Sequence, residues 1–296
     1  MKKLNFKKLD AFTEGASTGN PAGLVWLEQD LALTSAEMLQ LACELKGLVS
    51  EVAFVTPSHD TAADFDFRYF SCEREVPFCG HATIAAAYEL GKELLVLQKR
   101  NRFLIRTKNK GILEAENRIE AENLVYIEAP QVQWIESSFN VQEIAQALNL
   151  PAEAINPELP PEIVNVGQNV LLVPVRNRYY NVDCRPDYQT LRDYCLAIGA
   201  EAVNIYSSDT FIPERDYRTR VFAPTFGYLE DPATGSGNAA LGYFLLKHQL
   251  WSNEKLVIEQ GPDRNLPNRV VLKRDAGGIR IGGNCTARIV GTYNLI

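Results

Sequence analysis

Residues Glu230–Tyr243 read EDPATGSGNAALGY, and this stretch is the best guide to the architecture of the chain. Two adjacent carboxylates lead into a turn of small residues, which leads into an apolar helical pattern. Gly235 and Gly237 let the backbone approach a ligand closely, because they carry no Cβ. The first N–H groups of a helix have no partner inside it, so an anion such as a carboxylate binds there. Ser236 adds a hydroxyl group. Taken alone, the pattern favours an ordinary capped helix start.

An earlier stretch, Phe78–Leu90, has the same design and reads FCGHATIAAAYEL. It also passes from a glycine turn into a helix rich in small residues. Aligning the two glycines gives these pairs: Gly80 with Gly235, Cys79 with Thr234, His81 with Ser236, and Tyr88 with Tyr243. We expect two such helix starts, one in each half of the chain, to face each other across a cleft. They would hold a dianionic or zwitterionic small molecule between them.

The repeat extends beyond the two glycine turns. Gly19–Leu27 resembles Gly167–Val175, and each stretch precedes a predicted helix that ends at a glycine, Gly47 or Gly199. A short apolar strand with a glutamate follows each helix, and these glutamates are Glu51 and Glu201. Four matched features in the same order favour a duplicated domain over chance similarity. The predicted fold is α+β, with two pseudo-symmetric halves that each wrap a mostly antiparallel sheet around a central helix.

The predicted boundary between the halves follows residue 128. The N-terminal lobe would comprise residues 1–128, with the last strand, about 286–296, returning to it, and the C-terminal lobe residues 129–296. Thr34-Ser35-Ala36-Glu37 is a capping box and predicts a helix start, and Asp187 predicts another. Arg68 and Arg220 lie in the predicted strands before the two glycine turns, where a solvated strand face is the favoured interpretation.

Composition excludes several classes of function. The chain has 296 residues, of which 46% are hydrophobic and 23% charged, as in ordinary globular proteins. The net charge of −7 argues against nucleic acid or an anionic membrane as the main partner. Six cysteines without CxxC spacing suggest reduced thiols, and no signal peptide is recognisable, so we expect a cytoplasmic protein. Three scattered histidines are too few for a zinc site, and no nucleotide-binding glycine motif is present. We therefore expect neither a metal nor an organic cofactor.

These motifs resemble those of the PhzF-like family, named for a phenazine-biosynthesis isomerase, within the diaminopimelate-epimerase fold. The resemblance spans nearly the whole chain. It rests on Gly19-Asn20-Pro21, Ser50-Glu51, Glu75–Thr83 and Phe222–Ser236, with Glu259-Gln260-Gly261 and Gly282-Gly283 as later matches. The resemblance implies a cofactor-free acid–base site between two hot-dog-like halves, and a homodimer. The family usually continues Gly-Ser-Ala, whereas Gly237-Asn238 follows Ser236 here, so we expect Asn238 to alter the pocket floor.

The resemblance assigns catalysis to Glu51, supported by His81, Asp231 and Ser236. A carboxylate that moves a proton must titrate near the working pH, and burial or a second carboxylate raises its pKa. Glu51 would then take a proton from one carbon and return it to another. Gly80, Gly235 and Ser236, with their neighbours Cys79 and Thr234, would hold the substrate carboxylate. Without the resemblance, Glu51 reads as a surface residue, and a structural hydrogen bond explains His81 equally well.

Two alternatives remain open from the sequence. Racemases of this fold use a pair of thiols, one on each helix turn, whereas this chain has Cys79 on one turn and Thr234 on the other. A threonine hydroxyl is too weak an acid or base for that role, so racemisation is disfavoured and Cys79 is better explained as a packed small residue. The second alternative is a protein that keeps the fold and binds a ligand without turnover.

Overall fold

The computed structural model describes residues 1–28, 31–108 and 110–296. The elements of the first part of the chain are β1 (Lys2–Ala11), β2 (Asn20–Trp26), α1 (Ser35–Glu44), β3 (Glu51–Pro57), β4 (Phe65–Ser71), β5 (Glu75–Val76), α2 (Gly80–Glu93), α3 (Leu95–Gln98), β6 (Arg102–Thr107), β7 (Gly111–Arg118), α4 (Ile119–Glu122) and β8 (Leu124–Glu128). Those of the second part are β9 (Gln133–Ile135), α5 (Val141–Ala147), β10 (Glu162–Asn165), β11 (Asn169–Pro174), α6 (Arg178–Asp183), α7 (Tyr188–Ile198), β12 (Ala202–Ser207), β13 (Tyr217–Phe222), β14 (Glu230–Asp231), α8 (Gly235–Lys247), β15 (Lys255–Gln260), β16 (Asn268–Asp275), β17 (Gly278–Gly283) and β18 (Cys285–Leu295).

The chain forms two compact units. The first comprises residues 1–13, 18–128 and 282–296, and the second comprises residues 14–17 and 129–281. None of the helices in the described part of the chain combines the length and apolarity that crossing a membrane requires.

The first unit is a curved sheet around α2. Its strand order is β18-β1-β2-β3-β4-β6-β7-β8, with β5 added beside β4, and only the β2–β3 and β4–β6 pairs are parallel. Helix α2 contacts strands at both ends of this order and in its middle. Its residues from Ala82 to Gly91 are all buried, as expected of a helix that the sheet surrounds. Small side chains such as Ala85 and Ala87 let the strands approach closely.

The second unit repeats this arrangement around α8. Its strand order is β9-β10-β11-β12-β13-β15-β16, with β14 beside β13, and again the only parallel pairs among these strands are β11–β12 and β13–β15. Gly242 of α8 is required by this packing, because a Cβ there would lie 2.7 Å from the Leu272 side chain and 2.9 Å from that of Ile279. The predicted α+β fold, with two halves that each enclose a helix, is confirmed.

Matching positions in the two units also form matching contacts. Asp64 precedes β4 and accepts a hydrogen bond from the backbone of Leu104, and Asp216 precedes β13 and accepts one from Val257. The helix starts that the sequence predicts are confirmed as well. Thr34 forms a capping box with Glu37, and Asp187 accepts from the amide of Thr190.

Candidate active site

The first unit brings three reactive side chains together. Glu51 opens β3, Cys79 is the N-cap residue of α2, and His81 lies in the first turn of that helix. The Cys79 thiol donates to the Glu51 carboxylate, with Sγ 3.7 Å from Oε2. His81 Nε2 lies 3.3 Å from the same Oε2, and His81 Nδ1 lies 3.5 Å from Cys79 Sγ. The first unit therefore brings these three residues, which the sequence analysis singles out, within contact of one another.

The Glu51 carboxyl is poorly hydrated. Its side chain is 23% exposed, and that of His81 is 13% exposed. Burial raises the pKa of Glu51 above its ordinary value of 4.5, and the hydrogen bond from Cys79 offsets this in part. A carboxyl group in this state exchanges its proton closer to neutral pH than an exposed glutamate does.

A second layer of hydrogen bonds fixes the helix start on which Cys79 and His81 lie. Thr83 donates its hydroxyl to the Cys79 carbonyl oxygen at 2.7 Å, and the Tyr69 hydroxyl lies 2.6 Å from Thr83 Oγ1. Because the Thr83 proton is already used, Tyr69 is the donor in the second bond. Burial raises the pKa of Tyr69 well above its ordinary range, so its hydroxyl keeps that proton. Sequence reasoning named Thr83 within a motif without assigning it this role, and it missed Tyr69, because only the fold places β4 beside the start of α2.

The second unit places the other predicted residues on the start of α8. Thr234 is the N-cap residue, and Gly235 and Ser236 follow it in the first turn. The Thr234 hydroxyl donates to Asp231 Oδ2 at 2.6 Å. Gln168 donates to Ser236 Oγ at 3.0 Å, which leaves the serine proton to point elsewhere.

Two amide side chains, those of Gln260 and Asn238, fix this helix start through hydrogen bonds. Gln260 Oε1 accepts from the Thr234 backbone amide at 2.9 Å and from Asn238 Nδ2 at 2.7 Å. Asn238 Nδ2 also donates to the Thr234 carbonyl oxygen, and its Oδ1 accepts from Thr219. Asn238 is fully buried, so it supports the turn through these bonds. The motif Glu259-Gln260-Gly261 was visible in the sequence, but nothing in it indicated that Gln260 binds residues 26 positions away.

Neither helix start is capped in the ordinary way. Cys79 and Thr234 adopt nearly the same extended backbone, with φ −137° and ψ 108° for Cys79, and φ −124° and ψ 113° for Thr234. In both cases the N-cap side chain makes no hydrogen bond to the helix amides. The simple capping interpretation of Glu230–Tyr243 is therefore wrong. Amides that an N-cap side chain does not cover are suited to bind an anion.

One sequence interpretation of the preceding strands is also wrong. Arg220 in β13 is 3% exposed and forms a bidentate pair with Glu230, at 2.9 and 2.8 Å, instead of facing solvent. Its counterpart Arg68 in β4 keeps 32% of its side chain exposed and pairs with Glu75. The preference of arginine for pairing with a carboxylate explains both ion pairs. The burial of Arg220 depends on the fold.

Similarity to known proteins agrees with this architecture. Residues 9–287 match the family described as "Phenazine biosynthesis-like protein". The chain belongs to this family. It is 28% identical to the uncharacterized isomerase YfhB of Bacillus subtilis, with 98% of this chain and 97% of that protein covered. It is 27% identical to trans-2,3-dihydro-3-hydroxyanthranilate isomerase of Pseudomonas aeruginosa, with 92% and 91% covered. The chain is accordingly an isomerase of the phenazine biosynthesis-like family.

Solved structures show the same fold. A Bacillus anthracis phenazine biosynthesis protein of the PhzF family superposes with a TM-score of 0.87 at 25% identity, covering 99% of this chain and 100% of that one. A probable proline racemase from Agrobacterium radiobacter superposes with a TM-score of 0.62 at 13% identity, covering 99% and 93%. The second similarity establishes shared architecture with racemases and nothing about the reaction.

Proposed function

We propose that this isomerase moves a proton between two carbons of a small carboxylate-bearing metabolite, with Glu51 as the single acid–base group. The observation that carries the proposal is the Glu51 carboxyl, buried against Cys79 and His81, with a pKa that burial raises. Such a group takes up a proton readily and also releases it, as a shuttle between two carbons requires.

His81 and Asp231 have supporting parts in this mechanism. His81 Nε2, at 3.3 Å from Glu51 Oε2, holds the carboxylate in one orientation. The imidazole edge and the Asp231 carboxylate would orient an amine or hydroxyl group of the substrate. Asp231 is itself fixed by the hydroxyl of Thr234. Asp231 acting on the same substrate as Glu51 stays a prediction from the sequence.

The helix starts supply the grip on the substrate. Gly80 and Gly235 open helices whose first amides are not covered by an N-cap side chain, and Ser236 adds a hydroxyl whose proton is not engaged by Gln168. Each helix start is suited to bind the two oxygens of one carboxylate group. A substrate similar to a hydroxyanthranilate, as in the Pseudomonas aeruginosa relative, or an amino acid-like carboxylate fits this chemistry. Action without a metal or organic cofactor, as a cytoplasmic homodimer, is part of the same prediction.

The test is the exchange of substrate hydrogen with solvent. The purified chain is incubated in deuterium oxide with hydroxyanthranilate-like and amino acid-like carboxylates, and deuterium at carbon is followed by proton NMR. We expect incorporation with the wild-type chain and a loss of about 10²- to 10⁴-fold with Glu51→Gln.

The matched control is Glu201→Gln. Glu201 is the repeat counterpart of Glu51, and its Oε2 accepts a hydrogen bond from the Asn169 amide, a role that the glutamine oxygen preserves. This variant should keep exchange within about twofold, since the change is isosteric and keeps that bond. Undiminished exchange in Glu51→Gln would falsify the single-base mechanism. Binding of a carboxylate without any exchange in the wild-type chain would favour a ligand-binding protein.

A further inference from the structure

The cluster in the first unit has the composition and spacing of a metal site. In the described part of the chain, one group of three metal-ligating side chains brings its ligand atoms within 4.8 Å of one another, namely Glu51, Cys79 and His81. Thiolate, imidazole and carboxylate are the three ligand types that zinc prefers in proteins. From the sequence we predict no zinc site, because the chain has only three scattered histidines. A low histidine count does not exclude a site that uses a single histidine.

The distances between the ligand atoms match a tetrahedral ion. Zinc binds sulfur at about 2.3 Å, nitrogen at about 2.0–2.1 Å and oxygen at about 2.0–2.2 Å. Tetrahedral angles then place sulfur about 3.6 Å from nitrogen or oxygen, and nitrogen about 3.4 Å from oxygen. The observed separations are 3.8 Å from Sγ to His81 Nε2, 3.7 Å from Sγ to Glu51 Oε2, and 3.3 Å from Nε2 to Oε2.

The surroundings fix the ligands before an ion arrives. Cys79 and His81 share the first turn of α2, whose geometry is held by the bonds from Thr83 and Tyr69. Glu51 opens β3, a strand bonded to neighbours on both sides. A site held in place in this way does not need to be ordered by the metal.

From these contacts we propose that Glu51, Cys79 and His81 form a zinc-binding site that blocks the isomerase when occupied. Three protein ligands fill three positions of a tetrahedron, and the fourth is left for water or a substrate atom. Binding replaces the thiol proton of Cys79 by the metal and releases that proton to solvent. The ion then occupies the carboxylate lone pairs that proton transfer needs, so metal binding and exchange exclude one another. The blocking effect depends on the proposed function, whereas the binding does not.

Cobalt reports on such a site directly, because Co²⁺ substitutes for zinc and is coloured. The full chain is stripped with a chelator, desalted and titrated with Co²⁺ under anaerobic conditions. We expect one ion per chain, with strong visible bands of tetrahedral cobalt and a near-ultraviolet band of sulfur-to-metal charge transfer. Added Zn²⁺ should abolish both signals by displacement, with calorimetry giving the same stoichiometry.

Variants assign the ligands. Cys79→Ser should remove the charge-transfer band and weaken Zn²⁺ binding at least about 100-fold, since loss of an outer partner alone costs 10- to 100-fold. Glu51→Gln should weaken binding while keeping that band, which guards against a Cys79 variant that fails to fold. Cys43→Ser, at an exposed thiol of the same unit, is the control and should change neither signal.

Three results would overturn the site. They are absence of tetrahedral bands in the wild-type chain, a charge-transfer band that persists in Cys79→Ser, and a band lost in Cys43→Ser. None of these readouts requires turnover, so a chain that binds Co²⁺ at Cys79 but exchanges no substrate hydrogen would refute the proposed function and leave the metal site standing. If exchange occurs, Zn²⁺ should inhibit it in competition with substrate, and a chelator should restore it.

Discussion

The starts of α2 and α8 have the same backbone and different chemistry. Both begin at a glycine after an extended residue whose side chain leaves the helix amides uncovered. Around α2 lie a carboxyl, a thiol and an imidazole, all within hydrogen-bonding range of one another. Around α8 the thiol and imidazole positions carry Thr234 and Ser236, and two buried amide side chains, Asn238 and Gln260, fix the turn.

This difference suggests that the two units have different roles in the proposed reaction. The backbone geometry that suits a helix start to anion binding is present in both units. The side chains to which we assign proton transfer, Glu51 and its neighbours, lie in the first unit. The start of α8 is instead built for rigidity, since amides and hydroxyls bond strongly but do not titrate near neutral pH. The predictions below test whether the proposed proton transfer depends on the first unit and the proposed binding of the substrate carboxylate on the second.

The largest expected effect concerns the arginines in the strands before the two helix starts. Arg220 donates to Glu230 and also to three backbone carbonyl oxygens, of Asn181, Val182 and Cys184. Arg220→Met should cost about 3–5 kcal/mol, because it leaves buried acceptors without a partner. Arg68→Met, at the same place in the first unit, should cost about 0–1 kcal/mol.

Urea denaturation of the two variants measures the contrast. A drop in the unfolding midpoint confined to the Arg220 variant supports a rigid second unit. Equal losses of stability in the two variants would show that burial does not make the Arg220–Glu230 pair more important than the Arg68–Glu75 pair.

These two arginines also show how far a sequence can be interpreted. The repeat, the family and the α+β fold follow from residues close in the chain, such as the glycine turns and the capping box at Thr34. The burial of Arg220 does not, because it depends on carbonyl groups 36 to 39 residues away that the fold brings beside it.

The same holds for the candidate site. Glu51, Cys79 and His81 could be named because each lies in a recognisable motif. The support from Tyr69 could not, since Tyr69 is an ordinary strand residue. At the start of α8 the support from Gln260 could not either, because Gln260 lies 26 residues from the turn it holds. Functional groups within one motif can be recognised in a sequence. Hydrogen bonds between residues distant in the chain can be predicted only when the packing of the strands and helices is known.

The next prediction concerns the pH dependence of stability. Because the pKa of Glu51 is higher in the folded chain than its ordinary value of 4.5, protonation favours the fold. The stability that the protonated carboxyl contributes is complete below pH 4.5 and is lost as pH rises through the folded pKa. Glu51→Gln stays neutral, so it should match the wild type at pH 4 and exceed it at pH 8. The gain is about 1.4 kcal/mol for each unit between the two pKa values.

Thermal unfolding from pH 4 to pH 8, with a chelator present, reveals this difference. A gap between variant and wild type that does not change with pH would mean that Glu51 is hydrated and ordinary. That result would remove the distinction between the reactive helix start and its counterpart.

A smaller effect is expected at the start of α8. Ser236→Ala should raise KM by about tenfold and leave kcat within about twofold, because the hydroxyl contributes a hydrogen bond to a charged carboxylate in both ground and transition states. Gln168→Ala should produce part of the same rise, since Gln168 orients that hydroxyl. The double variant should be no worse than Ser236→Ala alone.

Steady-state kinetics with the substrate found by exchange provides the measurement, and Ser137→Ala, at an exposed position of the same unit, is the control. A fall in kcat with KM unchanged would place Ser236 in the chemical step and contradict a purely binding role for this unit.

The smallest effect is expected at Cys79, and it is the most decisive for mechanism. In a single-base isomerase the thiol only donates to Glu51, so Cys79→Ser, which keeps a donor, should lower exchange by less than about tenfold. A two-base racemase needs the thiolate itself and would lose about 10²-fold or more. Alkylation of the wild-type chain does not separate the two, since a bulky adduct blocks the site in either case.

Thr234→Cys completes the comparison, because it gives the second helix start the thiol that racemases of this architecture carry on both turns. If Glu51 is the base, the new thiol takes no part in transferring the substrate proton. The variant should then neither racemise amino acids nor exchange substrate hydrogen faster than the wild type. Chiral chromatography of proline and other amino acids after long incubation detects a gain. Racemisation in Thr234→Cys that disappears in the Cys79→Ser, Thr234→Cys double variant would mean that Cys79 already acts as a base, and that one side chain separates the two reactions.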